Sequence, residues 1–150
     1  SINVAKWRVY ASCLSDLTIF SAALVRRENN LTDEQAVDLA NFCFEVSVER
    51  SFEDNDDADF QAEIIQALDA RARLTDWRHA SEGENAFSKS PPDLVKWAPV
   101  TEEFRELDGD IVTNSIRFRW RDVREQLRKR ADAAAIGNEW KSGTSRAPLN

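Results

Sequence analysis

Apolar residues recur every three or four positions in four stretches of this chain, and that spacing predicts four amphipathic helices. The first is expected from Ser15, a residue suited to N-capping, to about Glu28, with Leu17, Phe20 and Leu24 on one face and Asn29-Asn30 as its stop. The second opens on Thr32-Asp33-Glu34-Gln35, a capping box in which Thr32 and Gln35 satisfy each other's backbone N–H groups. Ala36, Leu39, Ala40 and Cys43 form its buried stripe, and it fades by Arg50. The third runs from about Asp57 to Leu74 on Phe60, Ile64, Ile65 and Leu68. The fourth and longest spans about Asp108 to Ala135, where Val112, Ile116, Trp120, Val123, Leu127, Ala131 and Ala134 repeat at three and four, and Gly137 ends it.

Between these stretches the pattern fails. Residues 52–59 are acidic and read as a solvated loop whose carboxylates suit the next helix N-terminus. Residues 78–99 hold Gly83, Pro91, Pro92 and Pro99, which predict a long irregular loop, anchored in part by Phe87 and Trp97. The expected fold is all-α: an elongated four-helix bundle in one domain over residues 1–140, with the loop at 78–99 and a flexible tail at 141–150.

Composition narrows the function classes. A chain of 150 residues that is 42% hydrophobic and holds five tryptophans can bury a single core. With Gly 4 and Pro 4 it has few tight turns, against a many-stranded β architecture. No apolar run approaches the roughly 20 residues of a membrane span, so no membrane partner is expected. Ser1–Lys6 lacks a signal-peptide core, and Ser1 fits the loss of an initiator Met. Cys13 and Cys43 lie in apolar helical surroundings and read as buried free thiols of a reducing compartment, with a disulfide as the alternative. There is no Cys/His spacing for a metal, no phosphate-cradling glycine loop and no nucleophile motif near His79, the only histidine. The expectation is a protein that is not an enzyme and carries no cofactor.

Charge changes the picture. The chain has a net charge of −7, yet Asp69-Ala70-Arg71-Ala72-Arg73-Leu74 closes the third helix with two arginines. Arginines at a helix C-terminus ordinarily complement the macrodipole, and residues two apart share no helical face. Both can reach one polymer only if the helix is ending there. In the fourth helix Arg117, Arg121, Arg124 and Arg128 form a second stripe. It reads either as a solvated, salt-bridged face or as a track for phosphates or an acidic neighbour. Acids gather at Glu45, Glu49, Glu53 and Asp57, and again at Asp76, Glu102 and Glu103. If such carboxylates met across a subunit contact their protonation would be coupled, with at most a weak cation site among them.

The order of these features resembles the coat proteins of rigid rod-shaped plant viruses of the tobamovirus type, best over residues 7–76. Asn30-Leu31-Thr32-Asp33-Glu34-Gln35-Ala36 followed by Phe44-Glu45-Val46 is similar to that family's second helix. Asp69-Ala70-Arg71-Ala72-Arg73-Leu74-Thr75-Asp76 is similar to its Phe-Asp-x-Arg-x-Arg-Ile/Val-x-Glu segment. Trp140 before a short polar tail also agrees. The family's Arg-Arg-x-Asp-Asp element reads Arg105-Glu106-Leu107-Asp108-Gly109-Asp110 here. Val37 stands where the family has an arginine after Gln-Ala, and the family's Tyr-x-Arg-x-x-Phe-Glu stretch before the last Trp is missing.

The resemblance implies a radially placed four-helix bundle that stacks into a helical rod around single-stranded RNA. Asp69, Arg71 and Arg73 would contact RNA, with Arg105, Asp108, Asp110 and Arg117 at the start of the next long helix. Glu45 with Asp57 or Asp59 would form an axial carboxylate pair, and Asp76 with Glu102 or Glu103 a lateral one. The expected partners are single-stranded RNA and identical subunits, and the expected location is the virion after synthesis in a host cytoplasm. The alternative is an acidic soluble helical protein that binds and neutralises a basic partner.

Overall fold

A computed structural model describes residues 2–52, 57–97, 102–130 and 132–143, with the backbone alone for residues 2, 3 and 102–108. The described residues form six α-helices and no strand: α1 (Ile2–Asn29), α2 (Asp33–Ser51), α3 (Ala58–Leu74), α4 (Ser90–Trp97), α5 (Glu102–Arg130) and α6 (Ala133–Gly143). The fold is all-α, as the periodicity predicts. The helix count and several boundaries differ from expectation, each for a local reason.

α1 starts at Ile2 rather than Ser15, because Ile2–Leu14 holds no Gly, Pro or charge run to stop it. Ser15 is therefore a buried residue inside the helix and not a cap. By length and composition Val4–Asn29 could cross a membrane, contrary to the sequence expectation, but 61% of its most apolar window is buried inside the fold. It is the central helix, packed against α2, α3, α4 and α6. It ends as predicted at Asn29-Asn30. Asn30 takes a left-handed φ of 49°, and the Leu31 N–H donates to Arg26 O at 3.1 Å, which is the Schellman closure.

α2 carries the predicted capping box: the Gln35 N–H donates to Thr32 Oγ1 at 3.1 Å and the Thr32 N–H to Gln35 Oε1 at 2.9 Å. Asp57 caps α3 by accepting the Phe60 N–H at 3.1 Å. Ile64, Leu68 and Ala72 are buried from α3, while Phe20 and Phe44 lie wholly inside the core. Truncating such a ring to alanine costs about 3–5 kcal/mol.

The segment expected to be irregular at 78–99 ends in α4. Its prolines, Pro91 and Pro92, sit in the first helical turn, where a missing N–H leaves no bond unmade. Residues 75–89 are an anchored turn region. Trp77 is buried and donates Nε1–H to Ala72 O at 3.0 Å. Phe87 lies between Phe20 and Trp120, at centroid distances of 5.3 and 4.8 Å.

The fourth predicted helix is two. α5 stops at Arg130, and Asp132 accepts the Ala135 N–H at 3.0 Å to start α6. Gly137 is a packing residue inside α6 rather than a stop: a Cβ there would come within 1.9 Å of Asn29 Nδ2. That nitrogen donates to Val25 O and Ala133 O and holds α6 to the end of α1. Lys141–Gly143 belongs to α6, not to a tail; residues 144–150 lie outside the described residues. Cys13 is half-buried and Cys43 is exposed on α2, both as free thiols.

Candidate nucleic-acid interface

Arg71 leaves the last turns of α3 on the side facing α1. Its Nη1 donates to Asp16 Oδ1 at 2.6 Å and to Ser15 Oγ at 2.8 Å, and its Nη2 donates to Ala86 O at 2.8 Å. The Asp16 carboxylate also accepts the Lys89 N–H at 3.3 Å and the Ser90 N–H at 2.8 Å. Asp16 is fully buried. A buried charge persists only when it is paired and hydrogen-bonded, and this carboxylate has both forms of support. One ion pair thus joins α1, α3 and the segment that leads into α4.

One fifth of the Arg71 side chain remains accessible, at a cleft of about 230 Å³ between α1, α3 and α4. Arg8, Lys89 and Lys96 add cations to its wall, Glu63 and Asp93 add carboxylates, and Trp97 adds an aromatic face. Arg8 and Glu63 form a two-pronged pair at 2.6 and 3.1 Å, which raises the arginine and holds the carboxyl below its ordinary range. Ser12 Oγ donates to Asp93, and Lys89 Nζ lies 4.0 Å from the same carboxylate. Lys96 Nζ sits 5.1 Å over the Trp97 ring. The lining is cationic in an acidic chain. It can receive a phosphate on the lysines and a base against the indole.

Arg73 does not share this cleft. α3 continues through Leu74, so the two arginines diverge as residues two apart on a helix must. Arg73 Nε donates to Asp69 at 3.1 Å, and Asp69 also accepts from Asn41 Nδ2 at 2.7 Å. Those two bonds, Arg73 first, hold the Asp69 carboxyl below its usual range. Arg73 lines a second hollow whose other charged residues are Asp33, Glu34 and Asp38. The expectation that Arg71 and Arg73 point at one polymer from one subunit does not match this geometry.

The arginine stripe of α5 is exposed at Arg117, Arg121 and Arg128, in keeping with a solvated, salt-bridged face, and Arg124 alone of the four is buried. Arg117 lies 3.7 Å from Glu84. Arg124 is buried with its guanidinium 5.4 Å over the Phe87 ring and with Nη1 unpartnered. Arg128 donates to Ser81 O at 2.8 Å. The stripe lies beside Trp120, whose Nε1–H donates to Ser90 Oγ at 2.8 Å, so it faces the 81–90 segment. Arg121 alone keeps to the helix, 3.8 Å from Glu125.

Among the other predicted residues, Asp110 is exposed on α5, and Glu45 and Asp59 are exposed on α2 and α3. The side chains of Arg105, Asp108, Glu102 and Glu103 lie outside the described ones. Asp76 Oδ2 is 2.8 Å from His79 Nδ1, which lowers the carboxyl and raises the imidazole. No group of three or more His, Cys, Asp or Glu gathers among the described residues, so the weak cation site expected at the carboxylates has no counterpart there.

Sequence reasoning missed Asp16, Arg8, Lys89, Lys96 and Trp97 as site residues. Asp16 carried a signal, being a single acid inside the apolar run from Leu14 to Phe20. Lys96 and Trp97 stood in a stretch read as loop. Comparison with protein-family models, with curated proteins and with solved structures finds no match to this chain.

Proposed function

We propose that this chain is a structural coat subunit that packs with identical copies into a helical rod around single-stranded RNA, and so resides in a virion. The observation that carries the reading is the fixed position of Arg71, the central arginine of the Asp69–Arg73 segment. Asp16 holds it at a cleft whose other cations are Arg8, Lys89 and Lys96. Such a cleft binds phosphate with little regard to base sequence, because its cations meet the backbone and an indole stacks on any base. Arg73, Arg105, Asp108, Asp110 and Arg117 complete the RNA-facing set through the resemblance alone.

The four-helix-bundle reading of the tobamovirus coat type rests on the resemblance and on the helix lengths, with α5 joined to the α1–α3 group chiefly through α4. α1, α2, α3 and α5 have 28, 19, 17 and 29 residues, while α4 and α6 are short additions of 8 and 11. Exposed apolar side chains, with Leu74 at 87% and Ile111 and Phe118 at 64% each, suit contacts between subunits. Contacts that do not close on themselves give a filament. Glu45, Asp57, Asp59, Asp76, Glu102 and Glu103 would then repel across those contacts and loosen the rod as pH rises.

Negative-stain electron microscopy of the purified protein near pH 5 and pH 8, with and without single-stranded RNA, tests the reading. Rods, discs or stacked rings, with length set by RNA, are the expected result. Monomers or dimers under every condition would overturn it and favour a soluble protein that masks a basic partner.

A further inference from the structure

Three guanidinium groups gather around Ser81 and Phe87, outside the cleft of Arg71. Arg128 Nη2 donates to Ser81 O at 2.8 Å, and Arg27, near the end of α1, reaches Ser81 Oγ at 3.5 Å. Arg128 lies 5.5 Å over the Phe20 ring, and Arg124 lies 5.4 Å over the Phe87 ring. Those two rings touch each other, with centroids 5.3 Å apart. One buried serine and one pair of buried rings thus bring together a cation of α1 and two cations from successive turns of α5.

The group lacks counter-charge. Arg124 is 8% exposed, and its Nη1 is buried with no hydrogen-bond partner among the described residues. A ring beneath a guanidinium occupies its face and leaves the N–H groups, which lie in its plane, in need of acceptors. The nearby acids are engaged elsewhere: Glu28 lies 3.4 Å from Arg27, Glu84 3.7 Å from Arg117 and Glu125 3.8 Å from Arg121. Among the described residues no carboxylate, Glu82 of the same turn included, forms an ion pair with Arg124 or Arg128. A buried charge without a partner is costly. In a chain of net charge −7, acids are plentiful, yet none is set against these two arginines. Arg27 and Arg128 are exposed, so the group meets solvent at its rim and keeps Arg124 at its base.

We infer that Arg27, Arg124 and Arg128 form a phosphate-binding site, separate from the Arg71 cleft, in which an incoming oxyanion satisfies the Arg124 donor. Guanidinium forks match phosphate oxygens in pairs and stay charged at any working pH. Forks from two helices approach from different sides, which suits the three acceptor oxygens of a phosphate group. The apolar ring pair lowers the local dielectric and strengthens each bond made there. The phosphate is either a free ion or a phosphodiester of an RNA strand, and both present the same oxygens. The site stands on its own geometry and does not require the RNA reading. On an RNA strand it adds a second anchor to the 81–90 segment, which Arg71 already holds through Ala86 O.

Two measurements test it: thermal unfolding in inorganic phosphate against sodium chloride of equal ionic strength, and fluorescence-anisotropy titration with a single-stranded oligouridylate. A ligand that binds only the folded chain raises its melting temperature by mass action. The wild-type chain is expected to melt higher in phosphate than in chloride. Arg124→Met and Arg128→Gln each lower phosphate affinity at least about tenfold and remove that shift. Arg124→Met keeps the buried volume and Arg128→Gln changes an exposed side chain, and circular dichroism checks that both remain helical. Lys96→Gln, in the Arg71 cleft, retains the phosphate shift.

A phosphate shift lost in both arginine variants, with oligouridylate affinity unchanged, assigns the site to free phosphate. Oligouridylate affinity reduced in the same two variants assigns it to the RNA backbone. A wild-type chain without a phosphate shift, whose arginine variants bind oligouridylate as it does, overturns the site, and so does a phosphate shift that both variants retain. An oligouridylate that never binds the wild-type chain overturns the RNA reading, and the phosphate shift then decides this site alone.

Discussion

Arg71 and Asp16 meet at 2.6 Å across the α1–α3 contact, with the carboxylate entirely inside the protein. The two residues are 55 positions apart, yet they fix three pieces of chain. The arginine also holds Ala86 O, and the aspartate also holds the N–H groups of Lys89 and Ser90. The accessible edge of the same guanidinium lies at the cationic cleft, so the pair is both a structural clamp and the base of the candidate site.

Removing one partner of that pair leaves the other charge buried without compensation. Arg71→Gln is expected to lower unfolding free energy by about 3–5 kcal/mol. The double variant Asp16→Asn/Arg71→Gln should lose less than the sum of the two single changes, since neither charge is then stranded. Urea denaturation of the four proteins measures the coupling. Simple additivity would mean that the two groups do not depend on each other.

Arg124 offers the opposite case. Its Nη1 is buried with no hydrogen-bond partner among the described residues, and its compensation there is the Phe87 ring. Arg124→Met keeps the volume and removes the unsatisfied donor, whose burial costs about 1–3 kcal/mol. The lost ring contact offsets about 0.5–1 kcal/mol of that gain. The variant should melt at the wild-type temperature or above it; a clear drop would contradict the account.

Gly137 tests the seat of α6. An alanine Cβ would displace the Asn29 side chain, which gives up its bonds to Val25 O and Ala133 O. Gly137→Ala is expected to cost about 1–3 kcal/mol by overpacking. In hydrogen exchange the loss should appear in α6 first, with α2 and α3 still protected.

The Asp76–His79 pair sets a local pH response. His79 is raised above its ordinary 6.5 by the hydrogen bond that Nδ1–H donates to Asp76 and then by the charge of that carboxylate, and Asp76 is lowered by His79. The histidine contribution is complete below pH 6.5 and is lost as pH climbs through the raised folded value. The aspartate contribution is present above its ordinary 3.8 and is lost as pH falls through the lowered value. An NMR titration should place the His79 midpoint above 6.5, and Asp76→Asn should bring it down.

The thiols should differ in reactivity. Burial first, and the Asp16 charge second, push the Cys13 thiol up to about 11, so little thiolate exists at neutral pH. Cys43 is exposed. Alkylation near pH 8 should label Cys43 well before Cys13, and equal rates would contradict the packing around α1.

Much of the chain was legible without its structure. The capping box at Thr32, the start of α3 at about Asp57, the stop at Asn29-Asn30 and the apolar stripe of α3 all formed where spacing and side-chain chemistry placed them. Each is set by residues three to five apart, so local sequence contains all the partners. Ser15 and Gly137 were misread because the same residue type serves two purposes. A serine caps a helix or hides inside one, and a glycine ends a helix or admits a neighbour.

The sequence by itself determined that the chain is helical, where α2 and α3 begin and end, and that Arg71 and Arg73 stand two apart on one helix. Tertiary structure decided the rest. It chose Asp16 as the partner of Arg71, buried Arg124 over the Phe87 ring while Arg117 and Arg128 reach the 81–90 segment from the surface, and made α4 from a proline-bearing stretch. It also set Arg73 in a different hollow from Arg71. The physical reason is range: caps and periodicity are satisfied within a turn or two of helix. A buried carboxylate selects its cation from whatever the packed chain brings within about 3 Å, here across 55 residues.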